Sequence, residues 1–87
     1  MGNFEVIVRQ SVAKDLRRVS KKQIVNILRR IEAVAAEPRP HGAEKLSVQE
    51  KYRIRQGLYR IIYEIKDDEL IVVVVKVGHR RDVYKLS

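Results

Sequence analysis

Cysteine and tryptophan are both missing from the 87 residues, and proline and methionine are scarce, at two and one. Without thiols the chain has neither a disulfide framework nor a thiolate metal site. That favours a cytoplasmic protein over one matured in an oxidising compartment. The N-terminus has no basic run followed by an apolar stretch, and the longest apolar run, Leu70 to Val75, is far short of the ~20 residues that span a bilayer. No membrane association is expected. Phosphate-cradling glycine loops, His/Cys/Asp metal clusters and nucleophile triads are also missing, so neither cofactor nor metal is expected. Four tyrosines and one phenylalanine do not form a base-stacking stripe.

Positive charge is abundant. Nineteen Lys and Arg against eleven Asp and Glu give a net charge of +8, which favours a polyanionic partner. Nucleic acid leads, and an acidic protein answers to the same field. Hydrophobic residues make up 45% of the chain, a globular balance, and the length suits one domain, residues 1–87, with a modest core.

Phe4, Val6 and Val8 alternate with Glu5, Ile7 and Arg9, the period of a first strand. A helix is expected from Ser11, with Val12, Leu16 and Val19 on one face. Ser20 can cap a second helix whose apolar stripe reads Ile24, Ile27, Leu28, Ile31, Val34 and Ala35. Lys21, Lys22, Arg29 and Arg30 fall on its wet side. Pro38 must stop that helix, because the residue before a proline is pushed out of the α region. Residues 37–50 read mostly as connector. Two alternating segments follow, Tyr52 to Arg55 and Tyr59 to Ile65, as a β-hairpin. Asp67-Asp68 then turns into Leu70 to Val77, whose unbroken apolar run predicts a central strand covered on both faces, ended by Gly78. The expected class is α+β, in the order β-α-α-β-β-β. An antiparallel-rich twisted sheet would carry a two-helix hairpin on one face, with room for a short C-terminal strand.

With Gln56 and Gly57 as a two-residue turn, Arg55 faces Leu58, Ile54 faces Tyr59 and Arg53 faces Arg60. Arg53, Arg55 and Arg60 then share one face, and Tyr52, Ile54, Tyr59 and Ile61 share the other. Like charges directly opposed in a sheet cost roughly 0.2 to 1 kcal/mol, which a bound polyanion would offset. Arginine also grips phosphate oxygens through two parallel hydrogen bonds. A plain solvated face accounts for the same arginines. His79, Arg80, Arg81 and Tyr84 follow the apolar strand, where they could close over this face.

In Tyr52-Arg53-Ile54-Arg55, in Gly57-Leu58-Tyr59-Arg60-Ile61-Ile62-Tyr63 and in Val77-Gly78-His79-Arg80-Arg81-Asp82-Val83-Tyr84 the chain resembles the RelE family of bacterial toxins, within the RelE/ParE superfamily. The resemblance covers nearly the whole chain and implies a single RelE-like domain. It implies a metal-independent, ribosome-dependent endoribonuclease that cuts messenger RNA in the ribosomal A site. It also implies neutralisation by a RelB-type antitoxin, with operator DNA reached only through that complex. By position, Arg53 and Arg55 match a basic pair of the active face. Arg60 matches a phosphate-binding arginine, Arg80 or Arg81 a second essential one, and Tyr84 a tyrosine that stacks on a base or moves the proton. Lys51 joins Arg53, Arg55, Arg80 and Arg81 among the RNA-binding residues, and His79 is a further acid–base candidate.

The implied reaction is attack of the RNA's own 2′-hydroxyl on the adjacent phosphate, with arginines stabilising the charge that develops. A tyrosine of pKa near 10 is only about 0.1% ionised at pH 7, so the RNA must be held in a reactive shape, which a ribosome can do. Two rivals remain at this stage. One is a ParE-like poison that binds DNA gyrase and is no RNase. The other is a nucleic-acid or antitoxin-binding module without turnover.

Overall fold

The computed structural model describes residues 3–46 and 50–81. β1 (Glu5–Val8) leads to α1 (Gln10–Leu16) and α2 (Lys21–Ala36). Then come β2 (Glu44–Lys45), β3 (Lys51–Gln56), β4 (Tyr59–Lys66), a single 3-10 turn at Asp67–Glu69, and β5 (Ile71–His79). The strands form one sheet in the order β1-β5-β4-β3-β2. β1 is parallel to β5, and the other neighbours are antiparallel. The α+β class and the antiparallel-rich sheet agree with the sequence patterns. β2 does not, because it lies in the stretch expected as connector, where Glu44 pairs with Arg53 and Lys45 with Tyr52. A C-terminal strand would fall in residues 82–87, outside the described residues.

α2 starts after Ser20, whose hydroxyl accepts from the Gln23 N–H, and its last residue is Ala36, two before Pro38. Its buried stripe is Ile27, Ile31, Val34 and Ala35. Leu28 was expected in that stripe and is 44% exposed, because one residue is a 100° turn and carries it off the buried face. α1 begins at Gln10, one residue before the expected Ser11, and buries only Val12 completely. Leu16 and Val19 pack partly buried against the core. Across from the helices, Ile54, Ile61, Tyr63, Ile65, Val72, Val74 and Val77 complete one apolar cluster. Truncating a side chain this deep removes its transfer energy and leaves a cavity.

β5 is buried on both faces, as its apolar run predicts, and it runs on through Gly78 to His79. It lies between β1 and β4, while β4 takes the middle of the sheet. β1 covers the β5 edge only as far as Val74. Beyond that point α1 takes over. The Val77 N–H donates to Asp15 Oδ2 at 3.3 Å, and Lys76 Nζ donates to Asp15 Oδ1 at 3.0 Å. A helix side chain thus supplies the acceptor that a neighbouring strand would otherwise provide.

The hairpin register corrects the sequence reading. The turn is Gly57-Leu58, with Gln56 opposite Tyr59, Ile54 opposite Ile61, Arg55 opposite Arg60 and Arg53 opposite Ile62. Gly57 sits at φ +60, a conformation glycine adopts without the steric cost a Cβ brings, and glycine first is a pattern of tight hairpin turns. Moving the turn by one residue shifts each pairing by two, so the membership of each face is unchanged. Only the partners differ.

At the end of the sheet far from this turn, one guanidinium joins three segments. Arg39 donates to both Asp67 carboxylate oxygens at 3.1 and 2.8 Å, to Glu50 at 2.8 Å and to the Tyr52 hydroxyl at 3.0 Å. The Tyr52 hydroxyl donates in turn to Glu50 at 2.9 Å, and its ring stacks on Tyr63, whose hydroxyl donates to the Pro38 carbonyl at 2.7 Å. Burial pushes the Tyr63 phenol up to about 12. Arg39, with Tyr52 and Lys45 assisting, holds Glu50 down at about 2, and Arg39 also lowers Asp67.

Depressed carboxyl pKa values stabilise the fold above the unfolded-state values and lose that contribution as pH falls through the folded ones. The urea midpoint should therefore drop between about pH 4.5 and 2, and Arg39→Met should flatten the drop as well as lower the midpoint at neutral pH. Equal steepness in the two proteins would show that this network does not govern acid stability. In the core, Ile27→Ala should cost about 2 to 5 kcal/mol in urea unfolding.

Candidate nucleic-acid interface

Strand alternation gives the sheet face opposite the core a distinct chemistry. Lys51, Arg53 and Arg55 come from β3, Arg60, Ile62 and Glu64 from β4, and Lys76 and Gly78 from β5, by the observed pairing. Arg55 stands directly opposite Arg60 on one side, and Gly78 stands opposite Arg60 on the other. Glycine presents no side chain beside the guanidinium there. Two arginines side by side repel, and nothing in the hairpin itself rewards the arrangement.

Arg60 is the unusual member. It is 5% exposed, one Nη lies 3.4 Å from the Tyr59 carbonyl, and its Nε has no hydrogen-bond partner among the described residues. A buried donor left unsatisfied costs about 1 to 3 kcal/mol, more when charged. Arg55 is exposed and forms no ion pair among the described residues. Arg53 is largely covered and bonds to Glu44 of β2, an acceptor that only the unforeseen strand brings into place. Lys51 faces Glu64 across the ladder at 3.8 Å, and Glu64 is shared with Arg9 at the same distance. Of the hairpin cations, Arg55 and Arg60 are therefore the pair least neutralised by neighbouring acids.

The residues after Gly78 divide. Tyr59 is opposite His79, their rings edge to face with centroids 6.0 Å apart, on the side of Ile61 and Val77. His79 thus lies on the helix side of the sheet and not with the arginines. The Arg80 N–H donates to the Leu58 carbonyl at 2.9 Å, which ties it to the hairpin turn, and the backbone turns helical at Arg80 and Arg81, so strand alternation assigns neither side chain to a face. Arg80 and Arg81 are exposed. Tyr84 lies outside the described residues.

This arrangement can bind and stabilise negative charge. Arginine forks are suited to phosphate oxygens, and the low local dielectric around a buried guanidinium strengthens its effect. Proton transfer is another matter. Glu64 is four residues from Arg60 along β4, roughly 13 Å, and already lies between Arg9 and Lys51.

Residues 6–84 match the model of the family described as the ParE toxin of type II toxin-antitoxin system, parDE. Among individual proteins, a provisionally named toxin RelE1 from Methanocaldococcus jannaschii is 28% identical over 88 residues, covering 94% of this chain and 96% of the relative. The free Escherichia coli toxin RelE, in a doubly substituted form, superposes with a TM-score of 0.80 at 20% identity, over 95% of this chain and 92% of that one. A RelB-RelE antitoxin-toxin complex from Methanococcus jannaschii gives 0.73 at 25% identity, over 92% and 96%.

Arg60→Met keeps the length and apolar stem while removing the unsatisfied donor and the repulsion with Arg55. It should raise stability by about 1 kcal/mol in urea unfolding, the balance of an unmade hydrogen bond and a like-charge pair against the lost contact to Tyr59. A drop of similar size would mean that Arg60 is satisfied in solution.

Proposed function

Because the chain belongs to the ParE toxin family of type II toxin–antitoxin systems, within the RelE/ParE superfamily, we propose that it acts in the cytoplasm as a ribosome-dependent messenger RNA endoribonuclease held in check by a RelB-type antitoxin. The observation that carries this reading is the Arg55/Arg60 pair, with Arg60 buried and its Nε unpartnered. The cost of two opposed guanidiniums is tolerated where a bound polyanion offsets their repulsion. The names of the relatives, toxins of the RelE kind, support the RNase assignment within the superfamily.

In the proposed reaction the messenger's 2′-hydroxyl loses its proton and attacks the adjacent phosphorus, and the bond to the 5′-oxygen breaks. A 2′,3′-cyclic phosphate remains, and the 5′-oxygen leaves protonated. Arg60 and Arg55 stabilise the charge gathering on the non-bridging oxygens, with Arg53 and Arg80 or Arg81 holding flanking phosphates. Tyr84 is the proposed proton carrier. His79, paired with Tyr59 on the other side of the sheet, loses ground in that role.

The second reading is poisoning of DNA gyrase, and the matching family model, that of the ParE toxins, is the observation in its favour. Primer extension on messenger RNA in a reconstituted translation reaction separates the two. Wild-type protein should cut only when ribosomes are present. Arg60→Ala should lower the rate about 10²- to 10³-fold, as removal of a charge-stabilising donor commonly does, and Tyr84→Phe should also lower it. Intact message together with gyrase-dependent DNA breaks would replace the RNase reading with the second one.

A further inference from the structure

A second concentration of positive charge lies outside the hairpin. Lys14, Arg17, Arg18, Lys21 and Lys22 fall within nine residues at the corner between α1 and α2, and all five are exposed. Asp15 is the one acid among them, and Lys76 and the Val77 N–H already occupy its oxygens. No ion pair to any of the five cations exists among the described residues. Lys21 and Lys22 also open α2, with no acid in its first turn, and the partial positive charge at a helix N-terminus makes that an unfavourable place for lysines. Like Arg55 and Arg60, this corner is arranged against stability.

The topology brings this corner to the arginine end of the sheet. α1 runs beside β5 from Arg9, bonded to the Val74 carbonyl, to Asp15 at Val77. The corner follows, and the first turn of α2 reaches the hairpin tip, where Gln23 lies beside Gly57. The 16 residues of α2 then span roughly 24 Å to the other end, where Glu50, Asp67, Asp68 and Glu69 gather around Arg39 and the β4–β5 turn. The molecule is therefore electrically polar along its strands, basic at the hairpin and corner and acidic at the opposite turn.

We propose that the α1–α2 corner is a second RNA-docking surface, which grips the sugar–phosphate backbone of structured RNA while the arginine face holds the strand to be cut. It deepens the proposed RNase function and rests on it for the identity of the polyanion. An acidic protein is the weaker fit. Protein interfaces need an apolar centre, and no large apolar residue is exposed within residues 14–22; Val25 and Leu28, exposed on the α2 face that begins at Lys21, border the corner without lying among its cations. Interfaces with nucleic acid are charged and polar throughout. Backbone contacts of this kind carry no sequence information, so the corner contributes affinity and orientation and leaves the choice of cleavage site to the arginine face.

The test compares wild type, a corner variant with Lys14, Arg17, Arg18, Lys21 and Lys22 all replaced by Gln, and Arg60→Ala. The probe is a mixed-sequence RNA hairpin fully 2′-O-methylated to prevent cleavage, and its affinity is measured by fluorescence anisotropy across a salt series. Each phosphate contact contributes about 0.7 to 0.9 to the slope of log affinity against log salt, so the corner variant, lacking five cations, should lose about 4 units and Arg60→Ala about 1. The corner variant should also melt at an unchanged or higher temperature and, in the translation reaction, need about tenfold more ribosomes for half-maximal cutting at an unchanged maximal rate. A wild-type salt slope in the corner variant would overturn the proposal, and so would an unchanged slope with lost affinity for the antitoxin, since the corner would then serve a protein. Failure of the wild type to cut message bears on the RNase reading alone, because the salt slope is read without cleavage.

Discussion

The pairing of β3 with β4 is the constraint on which the rest depends. Once Gly57 and Leu58 make the turn, every residue of the hairpin is assigned to a face, and one alternation puts the tyrosines with Ile54, Ile61 and Ile65 on one side and the arginines with Ile62 on the other. The apolar face gives α2 its platform. The cationic face is then an unavoidable product of the same pleat. Neither face can be altered by sliding the strands without destroying the other, which couples the foldability of the sheet to the site it presents.

Stability and function draw on opposite ends of this sheet. At the far end, Arg39 joins the segment after α2, the start of β3 and the β4–β5 turn through a guanidinium whose three nitrogens all donate. At the hairpin end, Arg55, Arg60 and the corner cations have few acidic partners, and one buried nitrogen has none among the described residues. The same side chain thus plays two physical roles according to what surrounds it. Surrounded by carboxylates it is a strut, and deprived of them it is left with donors suited to the phosphate oxygens of the proposed substrate. A toxin with a small core can tolerate the second arrangement because the first is concentrated elsewhere.

The polarity of charge also bears on how such a molecule meets its target. An end-to-end separation of cations and acids turns the protein in the field of a large polyanion before contact, bringing the hairpin end forward. For the nuclease proposed above, such orientation would matter most, since the proposed contribution of its arginines is charge stabilisation on a substrate already held in shape.

Much of this was written in the sequence. Period-two alternation identified the hairpin and its two faces, Pro38 ended α2, and the Leu70 to Val77 run implied an interior strand, because each of these is a local rule read from neighbouring residues. Membership of the arginine face survived even the misplaced turn, since a shift of two in pairing conserves parity. What the sequence could not provide was anything set by contacts between distant segments. β2 is two residues long and exists only because β3 offers it an edge, so Glu44 as the partner of Arg53 carried no local signal. The burial of Arg60, the departure of His79 to the helix side and the union of Arg39 with Glu50 and Asp67 likewise follow from how strands and helices pack. Chemistry was determined by composition and spacing, whereas the environment of each charge was decided by packing, because burial and partnership are properties of the folded neighbourhood and not of the residue.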